Sequence, residues 1–383
     1  RRSRTGTEAE KRNGENRKMK RLGISVYPEQ CTEEEWKSYL TKAAGYGFTR
    51  VFTCFISANE TREEMKNRFQ KFCRFAHEKG FIVSADTNPV VFSKLGASPK
   101  DLSVFHEIGV DIIRLDGRFS EIENVQLSYN PYDIKIEYNS STDIDMENLL
   151  AAGANKDRMC MCANFYPQRY TAMSLKRYEE LMGRYQKTGL LNASFVSSQK
   201  EHTYGPWSYC PHLPTLEMHR YLPIDLQARH TFALGYVHDV LIGNAIADDR
   251  ELEAMGHAFY DFVKFKVETD KETTDLEKRI LKDDIHVNRG ENEIMLRSSY
   301  PRIAYQNEKI TPRPHGRKTF EKGDVLIVNA NYKKYAAEVL VIQSTIEADD
   351  TYNYVGHLKA HEDILLSCVH PRHPFGFILE EEK

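Results

Sequence analysis

The sequence predicts an α/β fold in two parts, a (β/α)8 barrel followed by a small all-β barrel. Three observations carry this expectation. From Leu22 onward, short apolar strands alternate with helical stretches eight times. Several of those strands turn polar at their C-terminal ends, the rim on which a barrel of this kind carries its site. After about Glu268 the alternation stops, and short strands separated by turn residues take over.

Each unit has its own signals. LGISVYP is the first strand, and Thr32-Glu33-Glu34-Glu35 is a capping box that opens the first helix, closed near Gly45 or Gly47. VFTCFIS is the second strand. Thr61-Arg62-Glu63-Glu64 repeats the box, and Gly80 ends that helix. FIVSADTNP is the third strand; Ser98-Pro99 starts the next helix, because Pro fits a first helical turn, and Gly109 stops it. DIIRLDG is the fourth strand, followed by a short helix from about Ser120 to Leu127. IKIEYNS is the fifth, followed by a helix from Asp143 to Ala152. RMCMCANFYP is the sixth, and Ser174 caps the helix LKRYEELMGRYQKTG. LNASFVSS is the seventh; a long loop, SQKEHTYGPWSYCPHLPTLEMHR, leads to a helix through Leu234. DVLIGNAIAD is the eighth, with a last helix from near Asp248 or Asp249 to about Lys264. Eight units in about 245 residues match one barrel. An open doubly wound sheet would need fewer strands and usually a Gly-rich phosphate turn, and neither GxGxxG nor GxxxxGKS/T occurs.

The barrel is expected over 19–267 and the β module over 268–383, with the charged ETDKETTDLEKR as linking segment and the boundary between about Glu268 and Asp284. Residues 1–18 are charged and have no h-region. They read as a disordered leader or an appended remnant, not a secretory signal, with Met19 as a natural start. The chain has 383 residues, enough for two domains. Its net charge of −3 gives no strong field for nucleic acid. No apolar run reaches the ~18 residues of a membrane-spanning helix. The seven cysteines are odd in number and scattered, and Cys160-Met161-Cys162 is not a zinc spacing. They are expected to be reduced and mostly buried, which favours the cytoplasm.

Side chains alternate along a strand. The last inward positions on the rim are then Ser25 and Tyr27, Asp86, Arg114 and Asp116, Glu137 and Asn139, Asn164, and Asn244. Three carboxylates, one guanidinium and several amides, without metal-type histidine clusters, suit glycoside chemistry. One carboxylic acid protonates the leaving oxygen, a second acts as nucleophile or base, and amides hold hydroxyls and N-acetyl groups. Crowding raises one pKa, and Arg114 lowers its neighbour's. That makes Asp116, on the same face as Arg114, the base or nucleophile, and leaves Glu137 and Asp86 to compete for the acid role.

Plainer roles exist for each residue. Arg114 and Asp116 can close the barrel as an ion pair. Asp86 in Asp-Thr-Asn-Pro can cap a turn. Asn164 and Asn244 can satisfy backbone groups. Arg169, just past strand six on a βα loop, suggests an anionic ligand, against the commoner fate of a solvated loop Arg. His219 and Arg220 are expected on a helix with a surface role. His202, Tyr204 and Trp207 can form a sugar platform or a packed lid. No GxSxG elbow or HExxH helix is present. Lys135 shares a face with Glu137, which makes a Schiff base conceivable, but it lies deeper than the rim.

LGISVYPEQ, RVFTCFIS, VSADTNP, IIRLDGRFS, IEYNSST, LLAAGANKDRM, NFYPQRYTAMS, LPTLEMHR and DVLIGNAIAD, in that order, resemble the MupG-type 6-phospho-N-acetylmuramidase family. GDVLIVNANYKKYAAEVLV and NYVGHL resemble its second domain, a cyclophilin-like β-barrel. The resemblance covers essentially everything after Met19. It implies a TIM barrel and a cytoplasmic glycosidase that needs no cofactor. The implied substrate is a phosphorylated amino-sugar disaccharide of peptidoglycan origin, N-acetylmuramic acid 6-phosphate linked to N-acetylglucosamine, cleaved in cell-wall recycling. The chain departs from the family pattern at Ala163, where His is usual, at Asn244, where Asp is usual, and in GPWSYCPHL. The catalytic assignment of Asp86, Asp116 and Glu137 rests on geometry and chemistry, not on the resemblance. Two other classes compete with this reading. One is a non-catalytic sugar-phosphate sensor. The other is a lyase or isomerase that uses the carboxylates, with or without a divalent metal.

Overall fold

A computed structural model describes residues 20–207, 211–283 and 285–380. The expected leader and the Met19 start lie outside the described residues. The chain divides into two compact units, Arg1–Ala258 and Phe259–Lys383.

The first unit is a closed barrel of eight parallel strands: β1 (Arg21–Ser25), β2 (Phe48–Cys54), β3 (Ile82–Thr87), β4 (Ile112–Leu115), β5 (Lys135–Asn139), β6 (Met159–Cys162), β7 (Asn192–Val196) and β8 (Asp239–Ile242). Each pairs with the next, and β8 pairs back onto β1, Leu22 opposite Val240. The strands are buried almost throughout, because helices cover one side and the packed interior the other. The capping boxes form as the sequence implies. Thr32, Thr61, Ser120 and Asp248 each accept from the amide of the Glu three residues on, whose carboxylate bonds back.

Two helix boundaries differ from expectation. Ser98-Pro99 does not start a helix. Asn88 caps Pro89–Leu95 first, with Pro89 in the opening turn. Ser98 and Asp101 then exchange backbone hydrogen bonds, and the Asp101 carboxylate takes the Ser103 amide at the head of Ser103–Ile108. The last barrel helix ends at Gly256, not near Lys264. A Cβ at Gly256 would meet the Tyr46 carbonyl at 2.5 Å, so only glycine fits there. Beyond it, Val263, Phe265 and Val267 bury one face of a strand, β9 (Val263–Thr269), which belongs to the second unit. The expected linker is therefore the end of β9 and a capped helix, Asp275–Leu281, with Thr274 and Glu277 forming its box.

The second unit adds β10 (His286–Val287), β11 (Met295–Ser298), β12 (Thr319–Phe320), β13 (Asp324–Val328), β14 (Val339–Ile342), β15 (Ile346–Glu347), β16 (Tyr352–Leu358) and β17 (Pro374–Glu380). Seven of the strands form one mixed sheet, ordered β10-β17-β9-β16-β13-β14-β11, in which only β17 and β9 run parallel. Strands β12 and β15 pair separately. Glu277 is buried and accepts from Arg313 Nη1 at 2.7 Å and Asn353 Nδ2 at 2.8 Å, which ties the helix to the sheet.

Charge fills part of the barrel interior. Arg50 is 2% exposed and donates to Glu137 Oε1 at 2.5 Å and to Asp239 Oδ2 at 2.7 Å. Asp239 also accepts from Arg21 at 2.8 and 2.9 Å. Two cations and two anions compensate one another, so burial is tolerable only while all are present. Replacing Arg50 with Met should cost about 3–5 kcal/mol, the range for orphaning a buried charge. Denaturant unfolding measures it, and a loss below about 1 kcal/mol would show that the network is dispensable.

Candidate active site

Strand register sets the rim. Asp86 on β3 lies beside Arg114 on β4, and Arg114 beside Glu137 on β5. Arg114 is 3% exposed. Its Nη1 donates to Asp86 Oδ1 at 2.6 Å, and its Nη2 donates to Asn164 Oδ1 just past β6. One guanidinium thus fixes a carboxyl and an amide from opposite sides. Burial pushes Asp86 up to about 6, with Arg114 opposing and Asp116 and Glu137 adding to the rise. A carboxyl in that range can hold a proton close to neutrality.

Asp116 sits beyond the end of β4 and is exposed; its amide donates to the Thr87 carbonyl at 2.7 Å. No ion pair joins Arg114 and Asp116 among the described residues. Arg114 reaches across to the neighbouring strand, and its bonds go to Asp86 and Asn164. Glu137 is 0% exposed. It accepts from Arg50, inside the network that includes Asp239 at the first residue of β8. The structure therefore brings Asp86, Arg114, Asn164 and Asp116 to the rim and holds Glu137 in the barrel interior.

The remaining expected residues divide. Ser25 is buried, with its hydroxyl unbonded among the described residues. Asn139 accepts from the Ser141 amide at 2.9 Å, a turn that lets Ser141 Oγ take the Asn164 amide at 2.7 Å. Tyr27 and Asn244, both expected to hold substrate, are engaged within the protein. The Tyr27 hydroxyl donates to the Gly243 carbonyl at 2.7 Å. Asn244 is fully buried; its oxygen accepts from Ser197 Oγ and the Ser198 amide, and its nitrogen donates to Ser198 O and Thr203 Oγ1. An amide spent on both sides has nothing left for a ligand. Arg169 is exposed, with no hydrogen bond or ion pair among the described residues.

His219 and Arg220, expected at the surface, are each 1% exposed. Arg220 chelates Glu217 with two bonds of 2.7 Å and donates to the carbonyls of Tyr166, Gln168 and His212. Glu217 in turn takes the amides of Tyr170 and Ala172. This clamp ties the loop that carries Arg169 to the segment after β7. Only the Glu-x-x-Arg spacing in LEMHR hinted at it. His219 Nε2 and His230 Nδ1 are 2.7 Å apart and buried; burial drives both pKa values down, His230 to about 4.

Aromatic rings close the top of the barrel. Phe52 and Phe195 meet edge to face at 5.2 Å, Phe165 packs on them at 5.9 and 5.0 Å, and Trp207 packs on Phe165 at 6.1 Å. Six cysteines are described, all with free thiols; Cys210 lies outside the described residues. Among the described residues, no group of three or more His, Cys, Asp or Glu side chains could hold a metal ion.

Two family models match the chain: 6-phospho-N-acetylmuramidase, N-terminal, over residues 22–257, and 6-phospho-N-acetylmuramidase, C-terminal, over 263–378. Among solved structures, an uncharacterized B. cereus protein is 36% identical with a TM-score of 0.86, over 94% of this chain and 99% of that one. A conserved protein of unknown function from Enterococcus faecalis is 24% identical with a TM-score of 0.69, over 94% and 96%, and shares the fold. No curated protein matches.

The histidine pair makes stability depend on pH. Folded His219 and His230 resist protonation, whereas in the unfolded chain they titrate near 6.5. The unfolded state then binds more protons below about pH 6.5, so stability is full above that value and falls as pH drops toward 4. Each linked proton gives a slope of about 1.4 kcal/mol per pH unit. Denaturant titrations of a His230→Gln variant should show a shallower fall by about one proton. An unchanged slope would remove the pair as its cause.

Proposed function

The chain belongs to the 6-phospho-N-acetylmuramidase family, glycosidases of cell-wall recycling, and on that premise we propose that Asp86 is its general acid and Asp116 its nucleophile or base. The observation that carries this reading is the Arg114 bridge, which holds Asp86 and Asn164 together at the rim while burial raises the Asp86 pKa. Arg114 bonds Oδ1 of Asp86, which leaves Oδ2 to carry the proton to the glycosidic oxygen. With Oδ1 of Asn164 spent on Arg114, its Nδ2 is the free donor, directed to a sugar hydroxyl or N-acetyl oxygen. Asp116, exposed beyond β4, attacks or activates water on the anomeric carbon. Glu137 is assigned to the interior charge network, not to the acid role, because both its burial and its Arg50 partner support that place.

The substrate in this reading is N-acetylmuramic acid 6-phosphate linked to N-acetylglucosamine, and Arg169, unpaired among the described residues on its clamped loop, takes the phosphate. Ser25 and Asn139 line the mouth. The second unit, with its mixed seven-stranded sheet, is read as cyclophilin-like. The free thiols support a cytoplasmic setting.

A general acid must be protonated, so kcat/KM for the disaccharide should fall as pH rises through about 6, where free Asp86 loses its proton. Asp86→Asn should lose 10²–10⁴-fold on the disaccharide, an order-of-magnitude range, and keep activity on an aryl glycoside whose leaving group needs no proton. Asp116→Asn should abolish both reactions. Glu137→Gln, if folded, should retain turnover, and equal loss on both substrates in that variant would return Glu137 to the chemistry.

Arg169→Ala should raise KM roughly ten- to a hundredfold for the phosphorylated disaccharide, from the loss of a charge-assisted bond. Equal cleavage of phosphorylated and unphosphorylated disaccharides by the unaltered protein would count against phosphate recognition.

A further inference from the structure

The aromatic rings over the barrel lead from core to solvent. Phe52 and Phe195 are each 1% exposed, Phe165 is half-buried, and Trp207 at the end is 49% exposed. The same stretch of chain leads to the chemistry. Phe165 follows Asn164, Asn164 is bonded to Arg114, and Arg114 to Asp86. Trp207 is thus three side-chain contacts and one peptide bond from the proposed acid, on a support of packed rings. An indole seated edge to face on one ring keeps a large polarisable surface in water, and the ligand class that matches such a surface is the C–H face of a pyranose.

We propose that Trp207 is a stacking platform for one pyranose ring of the amino-sugar substrate, and so a specificity-determining residue of the reaction. This rests on the assignment of the barrel mouth as the site of glycoside cleavage. A stacked ring gains contact in the ground state and the transition state alike, so the platform acts on KM more than on kcat.

The chain has two tryptophans, which makes the test selective. Trp36 is 4% exposed and packed edge to face on Phe72 and Phe75, so it emits from an apolar setting and is shielded from quenchers. Trp207 supplies the red-shifted, acrylamide-quenchable emission. The probe is N-acetylmuramic acid 6-phosphate linked to N-acetylglucosamine, added to the Asp86→Asn variant so that it persists. Binding should protect the red component from acrylamide, equally so with Trp36→Phe added, and the effect should vanish with Trp207→Phe. The free monosaccharides, N-acetylglucosamine and N-acetylmuramic acid 6-phosphate, are separate arms; whichever reproduces the protection names the stacked ring. In kinetics, Trp207→Ala should raise KM about tenfold with kcat nearly unchanged, and Trp207→Phe should recover part of the loss. Turnover by the unaltered protein with no protection and no change in KM overturns the platform and leaves the glycosidase reading standing. Absence of both turnover and protection overturns the two together.

Discussion

A guanidinium sealed inside a barrel has to find acceptors there, and this barrel contains two. Arg50 satisfies its charge on Glu137 and Asp239, Arg114 on Asp86 and Asn164. The two differ in what surrounds them. The Arg50 group is balanced and closed, two cations against two anions, with Glu137 fully buried. The Arg114 group ends at the rim, where Asp86 is pulled in opposite directions by burial and by its partner, and burial wins. In a medium of low effective dielectric such contests decide protonation. The inner pair holds strands together, and in the outer one burial raises the pKa of a carboxyl at the rim.

The loops follow the same logic with neutral groups. Asn244 uses both ends of its amide to hold the start of the segment after β7, and Arg220 with Glu217 pins that segment to the loop after β6. Backbone amides and carbonyls that would otherwise face an unstructured rim are bonded to buried side chains. Arg169 is therefore presented from a loop that is bonded on both sides of it.

The sequence made the barrel legible because its signals are local and periodic: capped helices, glycine stops such as Gly80 and Gly109, and apolar strands. It made Asp86, Arg114 and Asn164 legible as inward and polar. It did not reveal which partner each would choose. Arg114 and Asp116 share a strand face, yet the bond runs across strands to Asp86, because lateral register depends on barrel closure and not on alternation. Arg220 and His219 looked like helix-surface residues because a three-residue turn before the helix Ile224–Ala233 carries no amphipathic pattern to betray burial. The sequence does not mark the end of the last barrel helix, because Val263, Phe265 and Val267 fit either period over so short a run, and what ends the helix at Gly256 is contact with Tyr46, more than 200 residues away in the chain.

Closure of β8 onto β1 also sets an order of events during synthesis. Arg21 and Asp239 are 218 residues apart in the chain yet bonded at the seam. At ribosomal rates of about 5–20 residues per second, β1 waits roughly ten to forty seconds for its second neighbour to be made. Through that interval one edge of the nascent sheet is open, and Arg21 and Arg50 of the inner network lack the Asp239 carboxylate. The seam is thus the last strand pairing of the barrel to become possible, because β8 is the last of its strands to be made.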